Sequence, residues 1–219
     1  MTRDAEATFL FADIAGFTAL TEAHGDEHAV QLVEEFASAV QAELPRVDGE
    51  YVKTVGDALM LRVPDPAAAV HLALWITRDA MSGHQAPSVR VGGNHGSAIE
   101  RSGDYFGTTI NVAARVSALA AGGEVLVTGQ MAALAPDLEG VLYESRGRRV
   151  LRNVAEPLEI FAVVRLDETS DHLAIDPVCQ MVVEPDRAIG RLQLDEKAYY
   201  FCSLNCAAAF AQHPERYTG

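Results

Sequence analysis

The chain has 219 residues, with 17 basic against 31 acidic side chains and a formal net charge of −14, a balance that repels polyphosphate backbones and argues against a nucleic-acid binder. Its length allows one full core and a small appendage. No stretch reaches the roughly 18 uncharged apolar residues of a membrane span; the longest candidate, AAAVHLALWI at 67–76, contains His71. The opening MTRDAEATFLFAD has no basic segment followed by a long apolar run, so no membrane partner and a cytoplasmic location are expected.

ATFLFADIAGF at 7–17 begins as a buried-strand run that stops at Asp13, and Phe17 to Glu43 then shows helical spacing with acidic residues outward. EYVKTVGDALMLRV at 50–63 reads as a hairpin with its turn at Gly56 and Asp57, ended by Pro64 and Pro66. Residues 67–80 predict an apolar helix, and SVRVGGNHGSAI at 88–99 a strand with glycine irregularities. DYFGTTINVAAR at 104–115 predicts a turn at Gly107 followed by a helix. Further strands are expected in GEVLVTG, GVLYES and PLEIFAVVRL. The alternation, with one tight antiparallel hairpin, indicates an α+β sheet with helices on one face.

Two features of this stretch carry chemistry. Asp13 ends a strand and Asp57 sits on a turn; each alone is an ordinary turn residue, but at one sheet edge two hard carboxylates suit Mg²⁺ held with substrate phosphates. Asn111 and Arg115 interrupt a helix of small apolar residues and, four apart, share one face.

Taken together, FADIAGFT (11–18), KTVGDALM (53–60) and DYFGTTINVAAR (104–115) resemble, in order, the three active-site motifs of the class III nucleotide cyclases, and LRNVAEPLEIFAV (151–163) resembles that family's closing segment. The resemblance implies a ferredoxin-like cyclase sheet over residues 1–166. By position, Asp13 and Asp57 match the two metal-binding aspartates, with the backbone carbonyl of Ile14 as a further ligand for two Mg²⁺ or Mn²⁺ ions. Lys53 and Asp104 match the adenine-reading pair, which implies ATP as substrate. Asn111 matches the residue that orients the ribose, and Arg115 the one that stabilises charge on the α-phosphate. Arg152 stands where many members carry a lysine for the terminal phosphate. The resemblance also implies a head-to-tail homodimer with sites shared across its interface. The rival readings are a nucleotide-binding regulatory module without turnover, and a metal-binding module with the cyclase domain as its output.

All three cysteines, Cys179, Cys202 and Cys206, lie in the last 41 residues. Residues 167–175, polar and weakly patterned, are the expected linker, and 176–219, with YYFCS, a second cysteine after three residues, Phe210 and PERY, resembles a YHS domain, a small cysteine-containing α+β module. The three thiols are candidates for Zn²⁺ or Cu⁺, or for apolar packing beneath Tyr200, Phe201 and Phe210. His213 lies about 10 Å of helix beyond Cys206 and fits poorly as a fourth ligand. His24, His28, His71 and His95 show no metal spacing with the cyclase motifs and are expected to be surface or core residues. A metal or redox input through the tail is the expected regulation.

Overall fold

A computed structural model describes residues 3–83, 85–166 and 173–218. Its centre is β1 (Arg3–Ile14), paired antiparallel with β3 (Ala58–Val63) on one side and β4 (Val89–Arg101) on the other. The remaining strands of the sheet are β2 (Glu50–Val55), β5 (Asp104–Phe106), β6 (Val125–Thr128), β7 (Val141–Arg149) and β8 (Leu158–Arg165), in the order β2-β3-β1-β4-β6-β8-β7 with β5 on β4. Only β4 and β6, among the pairs of this sheet, run parallel.

Side chains of successive strand residues point to opposite faces, and β1 is apolar on both. Leu10, Ala12 and Ile14 face a core supplied by α1 (Phe17–His24), α2 (Asp26–Glu43), α3 (Pro66–Arg78) and α5 (Gly129–Leu134) through Leu20, Phe36, Val70 and Met131. Ala7, Phe9 and Phe11 face the other way, against Ile110 and Ala113 of α4 (Thr108–Ser117). The α+β architecture is as expected. The placement of every helix on one face is not: α4 covers the second apolar face of β1, which would otherwise lie in water.

Gly92 makes that second layer possible. A Cβ there would lie 1.9 Å from the backbone nitrogen of Ser117, so the end of α4 rests directly on the β4 backbone. The single helix expected over Phe17 to Glu43 is two helices, divided at Gly25, whose φ of 88° is open to glycine and disfavoured for other residues.

Beyond the sheet, β9 (Ala174–Ile175) pairs with β10 (Val182–Val183), and β11 (Gly190–Leu194) with β12 (Lys197–Phe201), before α6 (Leu204–Gln212). The side chain of Ser203 caps α6 by accepting the Cys206 N–H. Residues 167–172 of the expected linker lie outside the described residues. Val178, Cys179, Met181, Phe201 and Phe210 join the same apolar cluster as Leu20 and Ile14. Backbone hydrogen bonds reinforce the contact: Val182 donates to Ala86 at 2.8 Å, Gln85 to Val182 at 3.0 Å and Ser88 to Gln180 at 3.1 Å.

Candidate active site

Asp13 and Asp57 meet where β1 ends beside the β2–β3 turn. Asp13 is paired in register with Ala58, the residue after Asp57, and Gly56 supplies the positive φ of 67° that the turn needs. Burial pushes the Asp57 carboxyl up to about 6, and a hydrogen bond with Asp13 and its negative charge add to the rise; Arg90 works in the opposite direction.

Arg90 is a site residue that the sequence motifs did not reveal. It stands opposite Asp13 in the β1–β4 register, and its Nε donates to Asp13 Oδ2 at 2.8 Å. The available signal was an arginine inside the apolar strand run SVRVGG, where an unpaired charge is costly.

Lys53 and Asp104 form a second group. Lys53 follows an irregularity in the β2–β3 register, and its Nζ donates to Asp104 Oδ2 at 2.6 Å. That bond holds the Asp104 carboxyl below its ordinary range, and the Tyr105 N–H, donating to Oδ1 at 2.8 Å, acts in the same sense. Tyr105 anchors β5: its ring packs 5.3 Å from that of Phe9, and its hydroxyl donates to Glu50 at 2.8 Å.

Asn111 is exposed and Arg115 half-buried on α4, whose start is fixed by Asn94 donating to the Thr109 carbonyl at 3.1 Å. The Arg115 guanidinium bonds back to the Asn111 carbonyl at 2.9 Å. Arg152 is exposed on the loop after β7, but its neighbour Leu151 is buried with Val112 and Val116, which fastens that loop to α4. Ile14 has a fully buried side chain, leaving only its backbone for a ligand role. The structure thus joins Asp13 to Asp57, Lys53 to Asp104 and Arg115 to Asn111. No hydrogen bond among the described residues joins one of these groups to another.

Residues 1–163 match the adenylate and guanylate cyclase catalytic domain, and residues 174–219 match the YHS domain. The chain belongs to the adenylate and guanylate cyclase family. The chain is 34% identical over 163 residues to a pH-sensitive adenylate cyclase of Mycobacterium tuberculosis, covering 73% of this chain and 41% of that protein. It is 35% identical over 122 residues to an adenylate cyclase of Streptomyces griseus, covering 56% and 31%. The chain therefore spans less than half the length of these curated relatives. Among solved structures, the adenylyl cyclase CyaB from P. aeruginosa superposes with a TM-score of 0.65 at 23% identity, over 75% of this chain and 96% of that one. An adenylate cyclase of Trypanosoma brucei, described as in its monomeric state, gives 0.63 at 26% identity, over 73% and 89%.

The tail brings the three cysteines together, all fully buried: Cys179 Sγ lies 3.3 Å and Cys206 Sγ 3.8 Å from Cys202 Sγ. Hydrogen bonds from Cys179 and Cys202 hold the Cys206 thiol well below the usual thiol range, while Cys179 is pushed up. Cys202 lies before α6, since Ser203 is the cap. His24, half-buried, ends α1 just before Gly25 with its Nε2 3.5 Å from Cys202 Sγ, a contact that no spacing with the cyclase motifs announced. His213 contacts Glu215 at 3.3 Å instead. No helix among the described residues is long and apolar enough to cross a membrane.

Proposed function

We propose that the chain is an adenylyl cyclase, converting ATP to 3′,5′-cyclic AMP and pyrophosphate at two sites shared across a head-to-tail homodimer. The observation that carries this reading is the Lys53–Asp104 pair, 2.6 Å apart. Adenine offers an acceptor at ring N1 beside a donor at the N6 amino group, and an ammonium next to a carboxylate complements that order. Guanine reverses it, so each member of the pair would face a group of its own kind. The names of the relatives in Mycobacterium and Streptomyces support the same base.

The carboxylate pair fits divalent ions by its chemistry: Asp13 and Asp57 are hard oxygen donors side by side, and burial, with the neighbouring Asp13, lifts Asp57 to about 6. Bound there with the Ile14 carbonyl, Mg²⁺ or Mn²⁺ would neutralise the triphosphate and favour ionisation of the 3′-hydroxyl. Asn111 holds the ribose so that its 3′-oxygen faces the α-phosphorus. As that oxygen bonds to phosphorus and the bond to the pyrophosphate oxygen breaks, Arg115 turns from the Asn111 carbonyl to the charge growing on the α-phosphate. Arg152, on the loop fastened to α4, holds the terminal phosphate, and the fork of its guanidinium suits phosphate oxygens.

The shared site is supported by what each chain leaves in water. Val55, on β2 with Lys53, and Phe106, on β5 with Asp104, are each 50% exposed, and Ile99, opposite Phe106 on β4, is 47% exposed. A second copy would cover them. Purified full-length protein, given ATP or GTP with Mg²⁺ or Mn²⁺, tests the whole reading: cyclic AMP is the expected product. A preference for GTP would overturn the base assignment, and no product from either nucleotide would leave a binding module.

A further inference from the structure

The cysteine cluster lies outside the cyclase site and does not consist of tail residues alone. One ligand atom each from His24, Cys179, Cys202 and Cys206 lies within 4.8 Å of every other. A tetrahedral ion with sulfur at about 2.3 Å sets its ligands about 3.8 Å apart; the separations 3.3, 3.8 and 3.5 Å from Cys202 Sγ to Cys179 Sγ, Cys206 Sγ and His24 Nε2 are close to that edge. Buried thiols that only filled space would have no need of an imidazole from another part of the fold.

The scaffold around them is built for this convergence. Asp176, fully buried, accepts the Val178 N–H at 2.9 Å on one carboxylate oxygen and the Cys202 N–H at 2.8 Å on the other, tying the two cysteine-bearing loops together. Ser203 fixes the backbone at Cys206. Gln85, from the loop before β4, donates its side chain to the Cys202 carbonyl at 2.8 Å. On the other side, α1 delivers His24 from its last turn, and Gly25 bends the chain away immediately afterwards.

We infer that His24, Cys179, Cys202 and Cys206 form a closed, four-coordinate site for Zn²⁺ that clamps the C-terminal module to α1 of the cyclase domain. Three thiolates and one imidazole are a ligand set Zn²⁺ takes in structural sites, with no position left for water. Cu⁺ is satisfied by thiolates and has no requirement for the imidazole, so the role of His24 separates the two ions. The inference does not depend on the cyclase reading.

The test uses the full-length chain, reduced and stripped of metal, titrated with Co²⁺ and then with Zn²⁺ in competition. Expected is one ion per chain with the intense ligand-field absorption of tetrahedral Co²⁺ and a sulfur-to-cobalt charge-transfer band; carboxylate-bound Co²⁺ at Asp13 and Asp57 gives neither. His24→Gln should weaken Zn²⁺ binding at least about 10- to 100-fold, the loss that even outer partners of a metal site produce. His24→Cys should restore it. Because cysteine variants can misfold, the His24 variants are compared with wild type by their melting in chelator, where all should agree. Absence of the sulfur band, or a His24→Gln chain that binds Zn²⁺ as wild type does, would overturn the clamp.

Discussion

Arg90 and Asp13 face each other across the β1–β4 ladder, with the guanidinium Nε 2.8 Å from the carboxylate. A cation from the neighbouring strand therefore already steadies the acid assigned to metal. It leaves Asp57 as the carboxyl that carries the strain of the pair.

Asp57 makes stability depend on pH with a definite sign. An unfolded aspartate titrates near 3.8 and the folded one at about 6, so between these values the native state keeps a proton that the unfolded chain has lost. Stability from this group is greatest below the unfolded value and falls as pH rises through about 6. In metal-free protein, melting temperature should decline from about pH 4 to about pH 7 by less in Asp57→Asn than in wild type. Mn²⁺ should raise the wild-type melting point more at the upper end of that range. Equal slopes for the two proteins would remove the carboxyl pair as the cause.

Base selection follows from Lys53 and Asp104. Replacing both, as Lys53→Glu with Asp104→Cys, removes two charge-assisted contacts of about 1.5–3 kcal/mol each. The ratio of kcat/KM for ATP over GTP should fall by about 10²-fold or more. An unchanged ratio would show that the base is read elsewhere.

Arg115→Ala should lower kcat by about 10²- to 10³-fold, the scale on which one donor to a transition-state charge acts. Mixed with Asp57→Ala subunits, it should regain roughly a quarter of wild-type activity after random exchange, because each mixed dimer rebuilds one intact site of its two. Demonstrated exchange without recovery would place all the residues of a site in one chain.

Gly92→Ala tests the seat of α4. The added methyl would meet the Ser117 backbone at 1.9 Å, where no flexible side chain can give way. Destabilisation of about 1–3 kcal/mol or more is expected, with a loss of turnover because Asn111 and Arg115 move with the helix. Denaturant titration and steady-state kinetics on the same variant would reveal both.

The parts of this molecule legible in its sequence are those whose chemistry is local. Asp13 at a strand end, Asp57 on a glycine turn, and Asn111 with Arg115 one helical turn apart all announce themselves within a few residues, and each pair or turn is found as expected. The position of α4 was hidden because ATFLFA is apolar without alternation, so the run shows burial but not which helix covers which face. Arg90 was hidden because its partner belongs to another strand. His24 lies 178 residues before Cys202, and no spacing rule reaches across such a distance.

The route from the tail to the catalytic edge is short. Gln180, next to Cys179, accepts the Ser88 N–H; Ser88 in turn accepts the Ala15 N–H at 2.8 Å, two residues from Asp13. Gly16 packs so closely on Gln180 that a Cβ would lie 2.7 Å from its side chain. Because the buried side chains of both segments occupy one apolar cluster, heating should produce a single calorimetric peak, and cutting the chain after residue 166 should leave a sticky, poorly soluble fragment. A foreign tail grafted in its place would inherit a mismatched seat unless α1 travelled with it.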